Sequence, residues 1–370
     1  MAINILIVLA ILNAILGTYM LNWAWKQIKP IRDQDEARDS QFPPFRRTDL
    51  KNWSLFKFYL GAITVLPIRF VLGAWVCLVL FIFFKIVCIG HSFENDAPVQ
   101  GWRKRVIAVA YKVMSTLLLR CGLAIKVDYK YVKYDYSKYL GSDYLKTQKF
   151  PNNISTYVSN HVSWSDIIVF LNVKQPAFAS KVELKRIPVF GFLCQALGCI
   201  FIERGGTKEA KDYVIHQIQE RQEAIEKEGL YPPMIVFPEG GTSNGVSILP
   251  FKKGAFASFK AVRPVFLRYE SAGVSPAYDV MPFLPLYMLQ CCSFNFTCTF
   301  TELPPFIPNE YLFKTYAQAG KENWEIYADA VRDIMVDVGQ VKKDNSSQMD
   351  KIKYEILLGY KKERELKKTE

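Results

Sequence analysis

Residues 3–25 are apolar apart from Asn4, Asn13 and Asn22, and the run closes on Trp23, Trp25, Lys26, Lys29 and Arg32. That length spans the hydrocarbon core of a bilayer as one helix. It has no basic start and no small-x-small site before the tryptophans, so residues 1–30 read as a membrane anchor rather than a cleaved leader. A basic linker, 31–57, follows. The second apolar stretch, 58–90, carries Pro67 and Arg69 near its start and Lys85 near its end, which a simple span does not usually hold. Cations crowd both flanks, from Lys51 and Lys57 to Arg103, Lys104 and Arg105. If positive charge marks the cytosolic side, both ends face the cytosol, and the stretch is a re-entrant or membrane-lying pair of helices broken around Pro67. The alternative is a full crossing that puts the rest of the chain in the lumen.

From about residue 100 to 305 the pattern becomes that of a soluble domain. Residues 102–121 have helical spacing, with Val106, Ala110, Val113, Leu117 and Leu118 on one broad face. Residues 128–150 are dense in tyrosine and lysine and read as an inserted surface hairpin or interfacial loop. Strands are expected near 154–159, 177–180, 200–202, 234–237, 264–269 and 294–302, with helices between the earlier ones. This alternation predicts an α/β fold with a mostly parallel central sheet and flanking helices, preceded by membrane helices. The helix over 207–228 is expected to turn Ala210, Tyr213, Val214, Ile218 and Ile225 inward and to close at Gly229. Residues 306–370 read as a charged helical tail.

Composition sharpens the membrane reading. Half of the 370 residues are hydrophobic and 14% aromatic, with mean hydropathy +0.05 and pI near 9.1. A net charge of +12 fits either nucleic acid or an anionic bilayer surface. With no zinc-finger spacing, glycine-rich RNA-binding signature or basic heptad helix, nucleic acid is excluded as a partner and a phospholipid membrane is expected. The eight cysteines include one adjacent pair, Cys291 and Cys292, and several lie inside apolar runs. That is the pattern of reduced thiols, with neither a disulfide framework nor a metal site. Lys367 and Lys368 stand four and three places from the end, matching a dilysine retrieval signal of the endoplasmic reticulum membrane. Such a signal requires a cytosolic catalytic domain.

The chain has three histidines. His91 and His216 sit at a boundary and in a charged helix, whereas His161 lies in Asn-His-Val-Ser-Trp-Ser-Asp, residues 160–166, just after a β-branched run. An imidazole takes a proton from a hydroxyl near neutral pH, and a carboxylate on its other nitrogen fixes the tautomer. His161 is therefore the candidate base and Asp166 its orienter. A spacing of five puts side chains about 140° apart on a continuous helix, so contact needs His161 in a turn and Asp166 in the first helical turn after it. The competing reading is a turn histidine beside a helix-capping aspartate.

Further segments change the weighing: KVELKRIPVFG at 181–191, GCIFIERG at 198–205, IVFPEGGTSNG at 235–245 and VRPVFLRY at 262–269. With residues 160–166 they occur in the order and approximate spacing of the glycerolipid acyltransferase motifs. The chain resembles the membrane-bound lysophospholipid acyltransferase family over about residues 60–305. It is most similar to the branch acting on lysophosphatidylcholine and lysophosphatidylethanolamine, which also carries a Leu-Pro-x-Arg run like residues 66–69. The resemblance implies that His161 and Asp166 form the catalytic pair and that Arg204 meets the acceptor phosphate, for which a guanidinium fork is suited. It further implies that Glu239 and Gly240 belong to a Glu-Gly-Thr motif that positions Arg204 or accepts from a glycerol hydroxyl. This chain departs from it with Gly241 before Thr242. Either Thr242 supplies that hydroxyl after a loop shift, or the amides of Gly240 and Gly241 cup the phosphate. Lys181, Lys185 and Arg186 are candidates for the phosphates of acyl-coenzyme A, a co-substrate, and no resident cofactor or metal is expected. The amides at 240–241 or the turn at Asn160 are candidates for stabilising the carbonyl oxygen.

Lysophosphatidylcholine, lysophosphatidylethanolamine and lysophosphatidic acid all remain as acceptors. A lipid hydrolase is the nearest rival, although there is no G-x-S-x-G elbow and Ser163 lies close to His161 in sequence. A non-catalytic lipid-binding tether is the rival from another class.

Overall fold

The β-branched runs from residue 125 onward assemble a seven-stranded sheet. Its strands are β1 (Ile125–Tyr131), β2 (Thr156–Ser159), β3 (Ala177–Lys181), β4 (Ile200–Ile202), β5 (Met234–Val236), β7 (Val262–Ser271) and β8 (Phe296–Glu302), in the order β1-β8-β7-β2-β5-β3-β4. Strands β6 (Ser247–Ile248) and β9 (Lys342–Lys343) form a separate parallel pair. Among the described residues, five of the six pairings in the large sheet are parallel, and only β7 with β8 is antiparallel. The computed structural model describes residues 2–94, 97–202 and 208–366.

Among the described residues, four helices of ten residues or more precede the sheet: α1 (Ala2–Gln27), α2 (Leu55–Thr64), α3 (Leu66–Val87) and α4 (Gly101–Leu117). Within and after it come α5 (Asp166–Val173), α6 (Lys208–Glu228), α7 (Phe283–Cys292), α8 (Asn323–Gly339) and α9 (Gln348–Leu357). Helices α1 and α3 are long and apolar enough to cross a membrane, and 6% and 22% of their apolar windows are buried within the protein. The break between α2 and α3 falls at Val65, with Pro67 in the first turn of α3, where its missing N–H leaves no bond unmade. Arg69 donates to the carbonyls of Cys291 (3.1 Å) and Ser293 (2.6 Å). A cation in an apolar helix is thus explained: it caps the carboxyl end of α7.

Four elements depart from the sequence reading. Part of the Tyr/Lys-rich stretch is β1, registered from Ile125 against Phe296 to Tyr131 against Glu302, a strand whose alternation lysine and tyrosine obscure. In α4 the buried positions are Ile107, Tyr111 and Ser115, while Val113 is exposed. Together with Val79, Leu80 and Phe83 of α3, Val113, Val106, Val109 and Ala110 line an apolar groove of about 400 Å³. In α6 the inward positions include Gln222, which bonds Thr156 and Ala255, and Tyr213 faces outward. The segment after 305 is not a loose tail: α8 lays Tyr327, Val331, Ile334 and Met335 into the same core as Val262 and Phe266 of β7.

Residues 31–57, read as a linker, form an ordered brace. Arg47 is 5% exposed and donates to Asp49 through Nε (2.9 Å) and Nη2 (2.7 Å), and to the carbonyls of Ser275 and Ala277. Asp279 faces it at 3.2 Å, an ion-pair distance without hydrogen-bond alignment. Burial raises the Asp279 carboxyl above the ordinary range despite the attraction of Arg47. Asn244 donates to the carbonyls of Pro43, Pro44 and Arg46. Tyr354 of α9 donates to Asp39 at 2.8 Å and stacks on Phe42. Removing one member of a buried ion network strands the other charges, so Arg47→Met is expected to cost about 3–5 kcal/mol. The check is a lowered denaturation midpoint of the full chain in micelles; an unchanged midpoint would show that the brace adds nothing.

Candidate active site

Parallel α/β sheets bind ligands at the carboxyl ends of their strands, and the histidine motif leaves the sheet there. Strand β2 ends at Ser159, residues 160–165 turn, and α5 begins at Asp166. Asn160 is 3% exposed and extends the pairing through its side chain, accepting from the Leu267 amide (2.8 Å) and donating to the Leu267 carbonyl (2.9 Å). The turn is thereby fixed to β7.

The Asp166 carboxylate is fully buried and serves four donors. Oδ2 lies 2.8 Å from His161 Nδ1 and accepts from the amides of Val162 (2.8 Å) and Ser163 (3.0 Å), while Oδ1 accepts from the Tyr269 hydroxyl at 2.6 Å. Burial and the adjacent carboxylate push the Tyr269 phenol well above its usual range, so it stays a donor. With the two amides and the phenol donating to it the carboxylate is an acceptor, so Nδ1–H donates and Nε2 keeps its lone pair. The imidazole ring stacks on Phe237, the residue after β5, with centroids 4.0 Å apart. Its side chain remains 18% exposed, so a reactant has access.

Glu239 holds this turn from the other side. Its Oε1 accepts from the His161 amide and its Oε2 from the Leu249 amide, both at 2.9 Å. Burial raises its carboxyl to about 7, against the pull of those two bonds and of Arg332. The Ser243 amide donates to the His161 carbonyl at 3.0 Å. Both backbone groups of His161 are therefore tied to the segment after β5.

The structure brings Asn160, His161, Asp166, Glu239, Gly240, Gly241 and Thr242 together, but it reassigns several of them. The polar atoms of Asn160 and Glu239 bond backbone partners, so these side chains position the turn. Gly240 N–H donates to the Phe237 carbonyl, which removes it as a phosphate donor and leaves Gly241 of that pair. Thr242 Oγ1 accepts from Lys351 at 2.8 Å. Arg204 lies outside the described residues, as does the side chain of Lys181. Lys185 and Arg186 are on the surface beside the end of β3.

Sequence reasoning missed Tyr269, Lys252 and Lys351. Tyr269 shares a strand face with Val265 and Leu267, and a tyrosine in an apolar inward stripe was the available signal. The Lys252 side chain lies against Gly240, and Lys351 lies more than a hundred residues from the motif it touches. His216 pairs with Glu220 on the surface, and His91 contacts the Ala97 carbonyl. All eight cysteines are free, and the described residues contain no cluster fit to hold a metal.

Residues 142–280 match the acyltransferase family model. A lysophospholipid acyltransferase of Arabidopsis thaliana is 24% identical over 357 residues, covering 87% of this chain and 88% of the plant protein. Lysophosphatidylcholine acyltransferase 2 of Homo sapiens is 24% identical over 308 residues, covering 80% of this chain and 51% of the human protein, so the chain spans about half its length. The solved 1-acyl-sn-glycerophosphate acyltransferase of Thermotoga maritima aligns with a TM-score of 0.38 at 17% identity, over 71% of this chain and 96% of that one. The chain is thus similar to the acyltransferase family over residues 142–280 and, over most of its length, to lysophospholipid acyltransferases.

Proposed function

We propose that the enzyme transfers a fatty acyl group from acyl-coenzyme A to the free hydroxyl of a lysophospholipid of the lysophosphatidylcholine or lysophosphatidylethanolamine type. His161 is the general base and Asp166 its orienter. The observation that carries this is the buried Asp166 carboxylate, which three further donors hold against Nδ1 of a partly accessible imidazole. The similarity to a plant lysophospholipid acyltransferase and a human lysophosphatidylcholine acyltransferase supports the acceptor class.

In this reading Nε2 takes the hydroxyl proton as the oxygen attacks the thioester carbonyl. The C–S bond then breaks, and the leaving thiolate recovers that proton from the imidazolium. A thioester is already activated, so positioning plus one proton transfer suffices and no covalent enzyme intermediate is needed. The Gly241 amide is the donor proposed for the carbonyl oxygen. Arg204 and Lys181 are proposed for the phosphates of acceptor and donor. The cationic flanks of the apolar stretches support a membrane location with the catalytic face in the cytosol, proposed as the endoplasmic reticulum membrane.

A serine hydrolase reading is disfavoured by Ser163, which is fully buried and whose Oγ accepts from the amide and hydroxyl of Ser165. The deciding experiment offers microsomes or purified enzyme labelled oleoyl-coenzyme A with a panel of lysolipids. Use of lysophosphatidic acid alone would replace the proposed acceptor, and absence of coenzyme A release with every lysolipid would favour a tether.

His161→Ala is expected to lower turnover by about 10²–10⁴-fold, the range for a lost general base, with membrane association intact. Retained turnover would defeat the assignment. Tyr269→Phe removes one bond to the orienting carboxylate and should lower kcat by about tenfold with KM unchanged, read from initial rates. Glu239 tests positioning through pH. Its folded value of about 7 lies above the ordinary 4.5, so its contribution to stability is fully present below about pH 4.5 and is lost as pH rises through about 7. Glutamine does not titrate. The stability of the native protein relative to Glu239→Gln should therefore fall between pH 5 and pH 8 by up to about 3 kcal/mol, measured from denaturation midpoints at both pH values.

A further inference from the structure

One contact with the site is not used by the acyl-transfer reading: α9 meets the loop after β5 from behind. Gln348, the first residue of α9, occupies the space that a side chain at position 241 would need. Gly241, the departure from the Glu-Gly-Thr pattern, leaves that space to the amide end of Gln348, which would have to swing aside for a larger residue. One turn further, Lys351 is 8% exposed and donates through Nζ to the Thr242 carbonyl (3.0 Å), the Thr242 hydroxyl (2.8 Å) and the Tyr278 carbonyl (3.2 Å). Three acceptors match the three N–H bonds of an ammonium, whereas a neutral amine has two. Burying a cation on uncharged acceptors is costly, and a methionine would fill the same volume.

We propose that Lys351 is a positioning residue for acyl transfer: it fixes Thr242 from behind and, through Ser243 on the His161 carbonyl and Glu239 on the His161 amide, fixes the backbone that carries the imidazole. The inference rests on the acyl-transfer reading of His161. It goes beyond the family match, because α9 lies outside residues 142–280. The charged and titratable groups around Lys351 are Glu355 on α9, which pairs with Lys361 at 2.7 Å, Asp279, which faces Arg47, and the Tyr278 ring, 5.3 Å from Nζ. Burial draws the ammonium down to about 8, against the attraction of Glu355 and Asp279. The charged form therefore prevails at neutral pH, and its third donor is lost above about pH 8.

The test compares the full chain with Lys351→Met and Lys351→Arg in micelles, using labelled oleoyl-coenzyme A and lysophosphatidylcholine from about pH 6.5 to 9.5. The native kcat should fall above about pH 8. Lys351→Met should turn over about tenfold more slowly at pH 7 with KM changed less than about twofold, and should show no such fall. Lys351→Arg, which stays charged, should retain activity within about threefold at pH 7 and also lose the alkaline fall. Hydrogen exchange supplies a readout independent of turnover: amides of 240–245 should exchange about tenfold faster in Lys351→Met while those of β7 do not change. A Met variant with native kcat and native alkaline fall, or with unchanged exchange at 240–245, overturns the proposal. If Lys351→Arg does not fold, the exchange comparison decides. Native protein inert toward every lysolipid would remove the acyl-transfer reading instead, and the exchange result would still decide whether Lys351 orders the loop.

Discussion

An ionised carboxylate inside a protein must be surrounded by donors, and the fold around Asp166 is arranged to meet that requirement. Two donors are amides of the turn that precedes α5, one is a hydroxyl from β7, and the fourth is the imidazole itself. None can be placed without the others. The turn has its conformation because Asn160 pins it to Leu267, and Tyr269 reaches the carboxylate because β7 runs parallel beside β2. Satisfying one buried charge therefore sets the tautomer and orientation of His161 as a by-product of folding.

Around this centre the protein repeats the same device at lower cost. Glu239 joins the amides of His161 and Leu249, Arg47 gathers the nearby Asp49 carboxylate and the carbonyls of the distant loop at 275–277, and Lys351 binds three oxygens. Each is a buried polar group whose partners come mainly from irregular backbone. Loops that carry chemistry lack the ladder bonds of strands, and side chains of this kind supply the missing rigidity.

The alternation of short β-branched runs with helices made the parallel sheet legible from sequence, and six of its seven strands fall within a few residues of their expected places. Strand β1 was hidden because an edge strand rich in lysine and tyrosine shows no apolar alternation. The His161–Asp166 contact was legible because five residues of chain admit few geometries once a turn and a helix start are fixed. Tyr269, Lys351 and the Arg47 brace were not, since they act across 103, 109 and 230 residues respectively, and local pattern carries no information on such pairings. A short motif also does not tell a backbone tie from a ligand contact. Glu239 and Asn160 are required by the site, but as ties for the backbone.

The Tyr354–Asp39 bond joins residues 315 apart, and it has a consequence for how the molecule comes into being. A ribosome delivers α1 to the bilayer long before α9 has been made, and chains gain structure in the order they emerge. Until α9 has been made, Asp39 lacks its Tyr354 hydroxyl and Thr242 lacks Lys351 behind it. The brace around Asp39 and the loop it backs are thus completed only when that helix packs against them.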